Sequence, residues 1–263
     1  MIDRLDRSGF VLEVEDDFDD PRLDEALWLP WYLPHWSSRA AAVARYRIRD
    51  GCLRLRIDAD QDPWAPDVDG FTKVSSLQTA VQSGPLGSEV GQHRFRAGLV
   101  VREAQEEIRR FTPTAGLVEA RLRTVADHAN MAALWLIGVE DEPERSAEIC
   151  VAELFGRDIG PGATRVGMGL HPFGDPSIVD DFERVTVPID ARSFHVYSAA
   201  WGDGRTAFFV DDRLVKISGA APTYPMQVML GIYEFADRRE PASPPAAYPK
   251  ELVVDWFRGY RPR

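Results

Sequence analysis

Ala147-Glu148-Ile149-Cys150-Val151-Ala152-Glu153-Leu154-Phe155 reads as a β-strand that carries one residue too many. Side chains on a regular strand alternate between faces. Glu148 and Cys150 then share one face, and Ile149 and Val151 share the other. By strict alternation Glu153, five positions after Glu148, falls on the wrong side. One extra residue near Val151 and Ala152 shifts the parity, which is what a β-bulge does. With that bulge Glu148, Cys150 and Glu153 line one surface, while Ile149 packs into a core behind it. A strand with a core on one face belongs in a layered sheet, and the rest of the chain is consistent with this.

Working outward, runs at 53–57, 95–101, 117–125, 131–139, 194–201, 224–233 and 252–260 are apolar, alternating or rich in β-branched and aromatic residues. Ala207-Phe208-Phe209-Val210-Asp211-Asp212-Arg213-Leu214-Val215 reads as a hairpin turning at Asp211-Asp212. Helix signals are scarce. The one fair candidate, 103–110, is short and charged and equally fits an irregular strand. Many short strands without alternating helices predict antiparallel sheets, and therefore an all-β sandwich or barrel. No repeat or low-complexity linker divides the chain, so 1–263 is expected to form one domain. The proline-rich stretch 241–249 precedes a final strand rather than a second unit.

A net charge of −11 argues against binding to a phosphate backbone, which needs a basic surface. No apolar run is long enough to span a bilayer. The two cysteines, Cys52 and Cys150, are too few for a disulfide framework, and no Cys/His cluster has zinc spacing. The start Met-Ile-Asp-Arg-Leu-Asp-Arg lacks a secretory apolar segment. A cytoplasmic location is the expectation, or a secreted one if a leader has been removed.

Paired glutamates on an exposed strand face are ordinarily solvated. They suit catalysis when they face a cleft about 5–5.5 Å apart, the separation a retaining glycosidase needs. Two carboxyls that close cannot both ionise cheaply, so one keeps its proton near neutral pH.

Context favours the second reading. Glu148-Ile149-Cys150-Val151-Ala152-Glu153 resembles the Glu-x-Asp-x-x-Glu strand of family 16 glycoside hydrolases, matching both glutamates and departing at the middle position. Gly116-Leu117-Val118-Glu119-Ala120-Arg121, Ala133-Leu134-Trp135-Leu136, Gly169-Leu170-His171 and Phe194-His195-Val196-Tyr197 with Trp201 resemble that family's strands in its order. So do Phe209-Val210-Asp211-Asp212-Arg213-Leu214-Val215 and the closing Val254-Asp255-Trp256-Phe257-Arg258-Gly259-Tyr260. The resemblance runs from about residue 10 to the end. It implies an antiparallel β-sandwich jelly roll of the concanavalin A-like kind. It also implies a retaining endo-glycoside hydrolase, or a transglycosylase, that acts on a β-linked glucan or galactan polysaccharide or oligosaccharide by double displacement.

The resemblance makes Glu148 the nucleophile and Glu153 the acid/base. Cys150 stands where the family has an Asp that tunes the pair, and a neutral thiol is a weak donor and acceptor without charge. That departure leaves a second reading open, a non-catalytic, lectin-like carbohydrate-binding protein on the same fold. Trp135 and His171 are expected in the cleft, and His195 beside the acid/base strand. Tyr233 and Glu234 follow a strand that resembles a cleft-lining segment. The aromatic stretch Trp28-Leu29-Pro30-Trp31-Tyr32-Leu33-Pro34-His35-Trp36 reads as a loop. Trp31 and Trp36 are its candidates for sugar subsites, with capping of the sandwich as the alternative. The reaction asks for no cofactor. The resemblance implies one structural calcium, with Asp255 as its ligand.

Overall fold

The structure is a computed structural model that describes residues 4–238 and 246–263. Of the proline-rich stretch 241–249, residues 241–245 lie outside the described residues. In chain order the strands are β1 (Phe10–Asp16), β2 (Tyr46–Arg49), β3 (Cys52–Ile57), β4 (Thr72–Gln78), β5 (Ala80–Val81), β6 (Ile108–Arg109), β7 (Gly116–Arg123) and β8 (Asn130–Gly138). They continue as β9 (Glu148–Phe155), β10 (Thr164–His171), β11 (Glu183–Val187), β12 (His195–Gly202), β13 (Arg205–Val210), β14 (Arg213–Ser218), β15 (Met226–Phe235) and β16 (Lys250–Pro262). One sheet runs β14-β13-β12-β7-β16-β3-β2, with β1 also paired to β16, and the other runs β11-β10-β9-β8-β15-β4. The paired strands are antiparallel, as the sequence predicts. Among the described residues no helix is long and apolar enough to cross a membrane.

The two sheets close on a core that period-two alternation prepares. Leu53, Leu55 and Ile57 of β3, Val118, Ala120 and Leu122 of β7, and Leu252 and Val254 of β16 face Leu134 and Leu136 of β8, Ile149 of β9, Val166, Met168 and Leu170 of β10, and Val228, Leu230 and Ile232 of β15. Each of the Val, Leu, Ile and Met side chains contributes about 1.5–3 kcal/mol by leaving water. A second apolar layer covers part of the outer face of the six-stranded sheet. There Ala133, Trp135 and Ile137 of β8 meet Tyr32, Leu33, Trp36, Trp64, Leu99 and Val101 from the loops. Strand β8 is thus buried on both faces, which is why its sequence is a continuous apolar run rather than an alternation.

The turn at Asp211-Asp212 forms as expected. Val210 pairs with Arg213, and both aspartates have positive φ (48° and 64°), the two-residue hairpin geometry. One local expectation fails. The run 95–101 is a loop that folds Leu99 and Val101 under the cover, whereas 103–110 takes the irregular-strand alternative, with Ile108–Arg109 paired as β6. Alternation in a run that short reports burial, not pairing.

Candidate active site

Strand β9 lies between β8 and β10, and its register carries the expected bulge. Against β8 the pairs Ile137↔Glu148, Leu136↔Ile149 and Trp135↔Cys150 give way to Leu134↔Ala152 and Ala133↔Glu153, so Val151 has no partner. Against β10 the shift falls between Gly169↔Cys150 and Gly167↔Glu153. Ile149, Val151, Ala152 and Leu154 consequently enter the inter-sheet core. Glu148, Cys150 and Glu153 face outward together, and one donor atom from each lies within 4.8 Å of the others. A glycine at 169 is required for two reasons. Its φ is +139°, and a Cβ there would stand 2.7 Å from the backbone of Phe182, which crosses over β10.

The surface they share is a cleft of about 240 Å³, lined also by Tyr32, Trp135, His171, Phe173 and Tyr233. The Trp135 Nε1–H donates to the Tyr233 hydroxyl at 3.1 Å, and the Tyr32 ring stands edge-on to Tyr233 at 5.5 Å. His171 bonds through Nδ1 to Asp180 at 3.0 Å and stacks on Phe182 at 4.8 Å. These ring faces and hydroxyls are the kind of wall a sugar ring packs against.

Burial sets the electrostatics. Both Glu148 and Glu153 are pushed well above the ordinary carboxylate range, mainly because the cleft floor strips them of water. The negative charge of Glu153 raises Glu148 further, while the Cys150 thiol, 2.9 Å from Oε1, donates to Glu148 and opposes the rise. His171 and Arg184 pull Glu153 back down. The Cys150 thiol itself is pushed up, first by burial and then by both glutamates, so it stays a neutral donor. The pair therefore retains a proton near neutrality, the condition for one carboxyl to act as acid while the other attacks.

Other predicted residues lie elsewhere. Trp36 is fully buried, with Nε1–H donating to the Gln92 carbonyl at 2.9 Å, so it builds the cover rather than a subsite. Trp31 is half-buried under the Arg39 guanidinium and outside the cleft lining; Tyr32 from the same loop takes its place there. Glu234 points away from the cleft, 2.7 Å from the buried Lys250 Nζ. His195 belongs to the other sheet and is paired with Asp211. Asp255 does not fit calcium, which takes about 6–8 oxygens. The Arg121 guanidinium takes one of its oxygens, and the Cys52 thiol lies 3.8 Å from the other. Among the described residues the side chains grouped closely enough to hold a metal are Glu148, Cys150 and Glu153.

The sequence reading did not single out His93, Phe95, Phe173 or Asp69, which also line the cleft. They sit in loops, where no period marks them. The only available signal was a histidine beside an aromatic in Gln92-His93-Arg94-Phe95.

Residues 109–258 match the family model described as glycosyl hydrolases family 16. The chain is similar to an endo-β-galactosidase from Clostridium perfringens that releases GlcNAcα1-4Gal, at 26% identity and a TM-score of 0.85. That likeness covers 98% of this chain and 63% of that one, so this chain spans less than two thirds of the larger protein. It is also similar to the laminarinase from Rhodothermus marinus (19% identity, TM-score 0.65, 97% of this chain and 98% of that one). The catalytic domain of an endo-1,3-β-glucanase from Thermotoga petrophila is comparable (15% identity, TM-score 0.65, 97% and 98%). At those identities the last two speak to the fold alone. No curated protein matches the chain.

Proposed function

The chain belongs to glycosyl hydrolases family 16, whose model matches more than half of it, and on that premise we propose that it is a retaining endo-glycosidase that cleaves a neutral β-galactoside-containing glycan. The observation that carries the chemistry is the bulge-set pair, Glu148 and Glu153, with side-chain oxygens within 4.8 Å on a cleft floor. A separation this short suits direct attack and leaves no room for the water of an inverting enzyme, which needs about 6.5–9.5 Å.

A Glu148 oxygen attacks the anomeric carbon as the bond to the glycosidic oxygen breaks, and Glu153 gives its proton to that oxygen. The first product leaves, with the sugar held as an ester on Glu148. Glu153, now ionised, takes a proton from water as the water oxygen attacks the anomeric carbon, and the ester bond breaks. A sugar hydroxyl in place of water makes the same step a transglycosylation. The S–H of Cys150 supports the first step by favouring the charged form of Glu148. Cys150→Ala is expected to raise the pKa of Glu148, move the acid limb of the kcat profile to higher pH, and lower kcat about tenfold. A profile that does not move would remove Cys150 from the mechanism.

Galactoside specificity is favoured by the 26% identity to an endo-β-galactosidase along nearly the whole chain. Neutrality follows from charge. Among the described residues the cleft lining contains Asp69, Glu148 and Glu153 but neither Lys nor Arg; Arg184 is occupied by Asp158 at 3.1 Å, and Arg238 lies over the rim residue Phe235. Sulfated galactans are expected to be cut at least about 100-fold more slowly than neutral ones, since an unpaired sulfate would be buried against carboxylates. A reducing-end assay on matched neutral and sulfated polymers checks this.

The direct test is mass spectrometry of products from β-linked galactans, poly-N-acetyllactosamine and laminarin. Cleavage of a galactosyl polymer is the expected result, and cleavage of laminarin alone would overturn the sugar assignment. The cysteine at position 150 supports one other reading, a carbohydrate-binding protein without turnover. Tight glycan binding with no cleaved bond would decide for that reading.

A further inference from the structure

His93 is the least expected residue in the cleft. It comes from the loop between β5 and β6, and its ring is caged by Trp135 at 5.0 Å, Phe173 at 4.8 Å and Phe95 at 6.1 Å. Within that cage Nδ1 is enclosed and, among the described residues, has no hydrogen-bond partner. Three residues at this wall take a left-handed backbone that side chains disfavour: His93 (φ 51°), Glu140 (φ 59°) and Phe173 (φ 44°). Two of them are tied together, because the His93 backbone N–H donates to the Glu140 carboxyl. The preceding residue is fixed as well. The Gln92 carbonyl accepts from His35 and Trp36, and its amide donates to Gln227 at 2.9 Å.

Each of these features is unfavourable for folding alone. An orphaned ring nitrogen loses its hydration without replacement, and strained backbone persists only where the surroundings enforce it. A phenylalanine would fill the same aromatic cage without the orphan. Strain of this kind, concentrated beside reacting groups, points to a ligand.

We propose that His93 is a specificity-determining residue that gives a directional hydrogen bond to a hydroxyl or amide of the sugar held beside Glu148. This rests on the glycosidase reading above. Burial pushes the imidazole down to about 3, with His35 and His171 adding to the effect, so the ring is uncharged throughout the working range. It can neither trade protons with the glutamates nor attract an anion. What remains to it is a hydrogen bond and the edge of a flat ring, both suited to a neutral sugar.

The test compares the parent with His93→Phe and His93→Gln on poly-N-acetyllactosamine and on the disaccharide GlcNAcα1-4Gal, by kinetics and calorimetric binding. His93→Phe keeps the cage filled. It is expected to hold or raise the thermal midpoint, to lower kcat/KM at least tenfold chiefly through KM, and to leave the pH profile unmoved. His93→Gln, which retains a donor, should recover part of the loss. A Phe variant with kcat/KM within twofold of the parent overturns the proposal. So does one that fails to fold, because packing is then the role of His93. If the parent neither cuts nor binds these glycans, the galactoside assignment falls and takes this one with it. A parent that binds normally beside an unaffected Phe variant sinks only the role of His93.

Discussion

Glu148→Gln is expected to lower kcat by at least about 10⁴-fold and, at pH 8, to raise the thermal midpoint. The two effects have one cause. Glu148 is 5% exposed, faces the half-buried carboxyl of Glu153, and among the described residues has a thiol as its donor. On the proposed mechanism the nucleophile is held where little water reaches its charge, and glutamine keeps the shape while removing the charge. The sign follows from linkage. The folded-state pKa lies above the unfolded value, so the folded form binds the proton more tightly. The stability it contributes is fully present below the unfolded pKa, near 4.5, and is lost as pH rises through the folded one. Glu153 and Glu140 share that sign, with Glu140 raised to about 8 because it is buried. The parent is therefore expected to lose stability steadily from about pH 4.5 to pH 8. Glu148→Gln should recover about 1–2 kcal/mol at the upper end, roughly 3–6 °C. Thermal melts across that range, run beside a turnover assay, measure both. Retained turnover would unseat Glu148 as nucleophile. An unchanged melting profile would mean that water still reaches it.

The pair was legible because its position is a matter of strand parity. A spacing of five positions between two like side chains, in an apolar strand, requires one bulge if both are to face the cleft, and Val151 supplies it. The apolar run on β8 and the Asp211-Asp212 turn were legible for similarly local reasons, burial on two faces and a backbone that only a few residues adopt. The cover over the cleft was not legible. Trp28, Tyr32 and Trp36 occupy one loop and look equivalent in sequence. Yet Trp28 packs on Phe257 between the sheets, Tyr32 faces the cleft, and Trp36 is sealed under Gln92. Their destinations depend on contacts with distant segments, and no spacing within the loop encodes them. Glu234 is different, because the signal was available. Neighbours on a strand face opposite ways, so placing Tyr233 in the cleft already removes Glu234 from it.

Where Glu234 goes instead makes it one of the costliest side chains to lose. Glu234→Ala is expected to reduce stability by about 3–5 kcal/mol while kcat per folded molecule stays within about threefold. Its carboxylate lies 2.7 Å from Lys250 Nζ, and the two side chains are 2% and 1% exposed. The Tyr248 hydroxyl donates to the same carboxylate at 2.8 Å, and Asp127 approaches the ammonium at 3.2 Å. Glu234 lies one residue before the end of β15 in one sheet and Lys250 begins β16 of the other, so the pair clamps the sheets at one end of the sandwich. Removing the carboxylate leaves an ammonium that water cannot reach, with Asp127 and the face of the Tyr248 ring to offset it among the described residues, and this accounts for most of the loss. Removing both charges avoids that penalty. Glu234→Leu combined with Lys250→Met should regain most of the stability, because two apolar chains of similar size can replace a buried pair at little net cost. Denaturant melts of the single and double variants test the ion pair, and KM for the cleaved glycan tests the cleft. A tenfold rise in KM in a Glu234→Gln variant that melts like the parent would return Glu234 to the sugar site. An unstable single variant rescued by the double would fix its role as the clamp between the sheets.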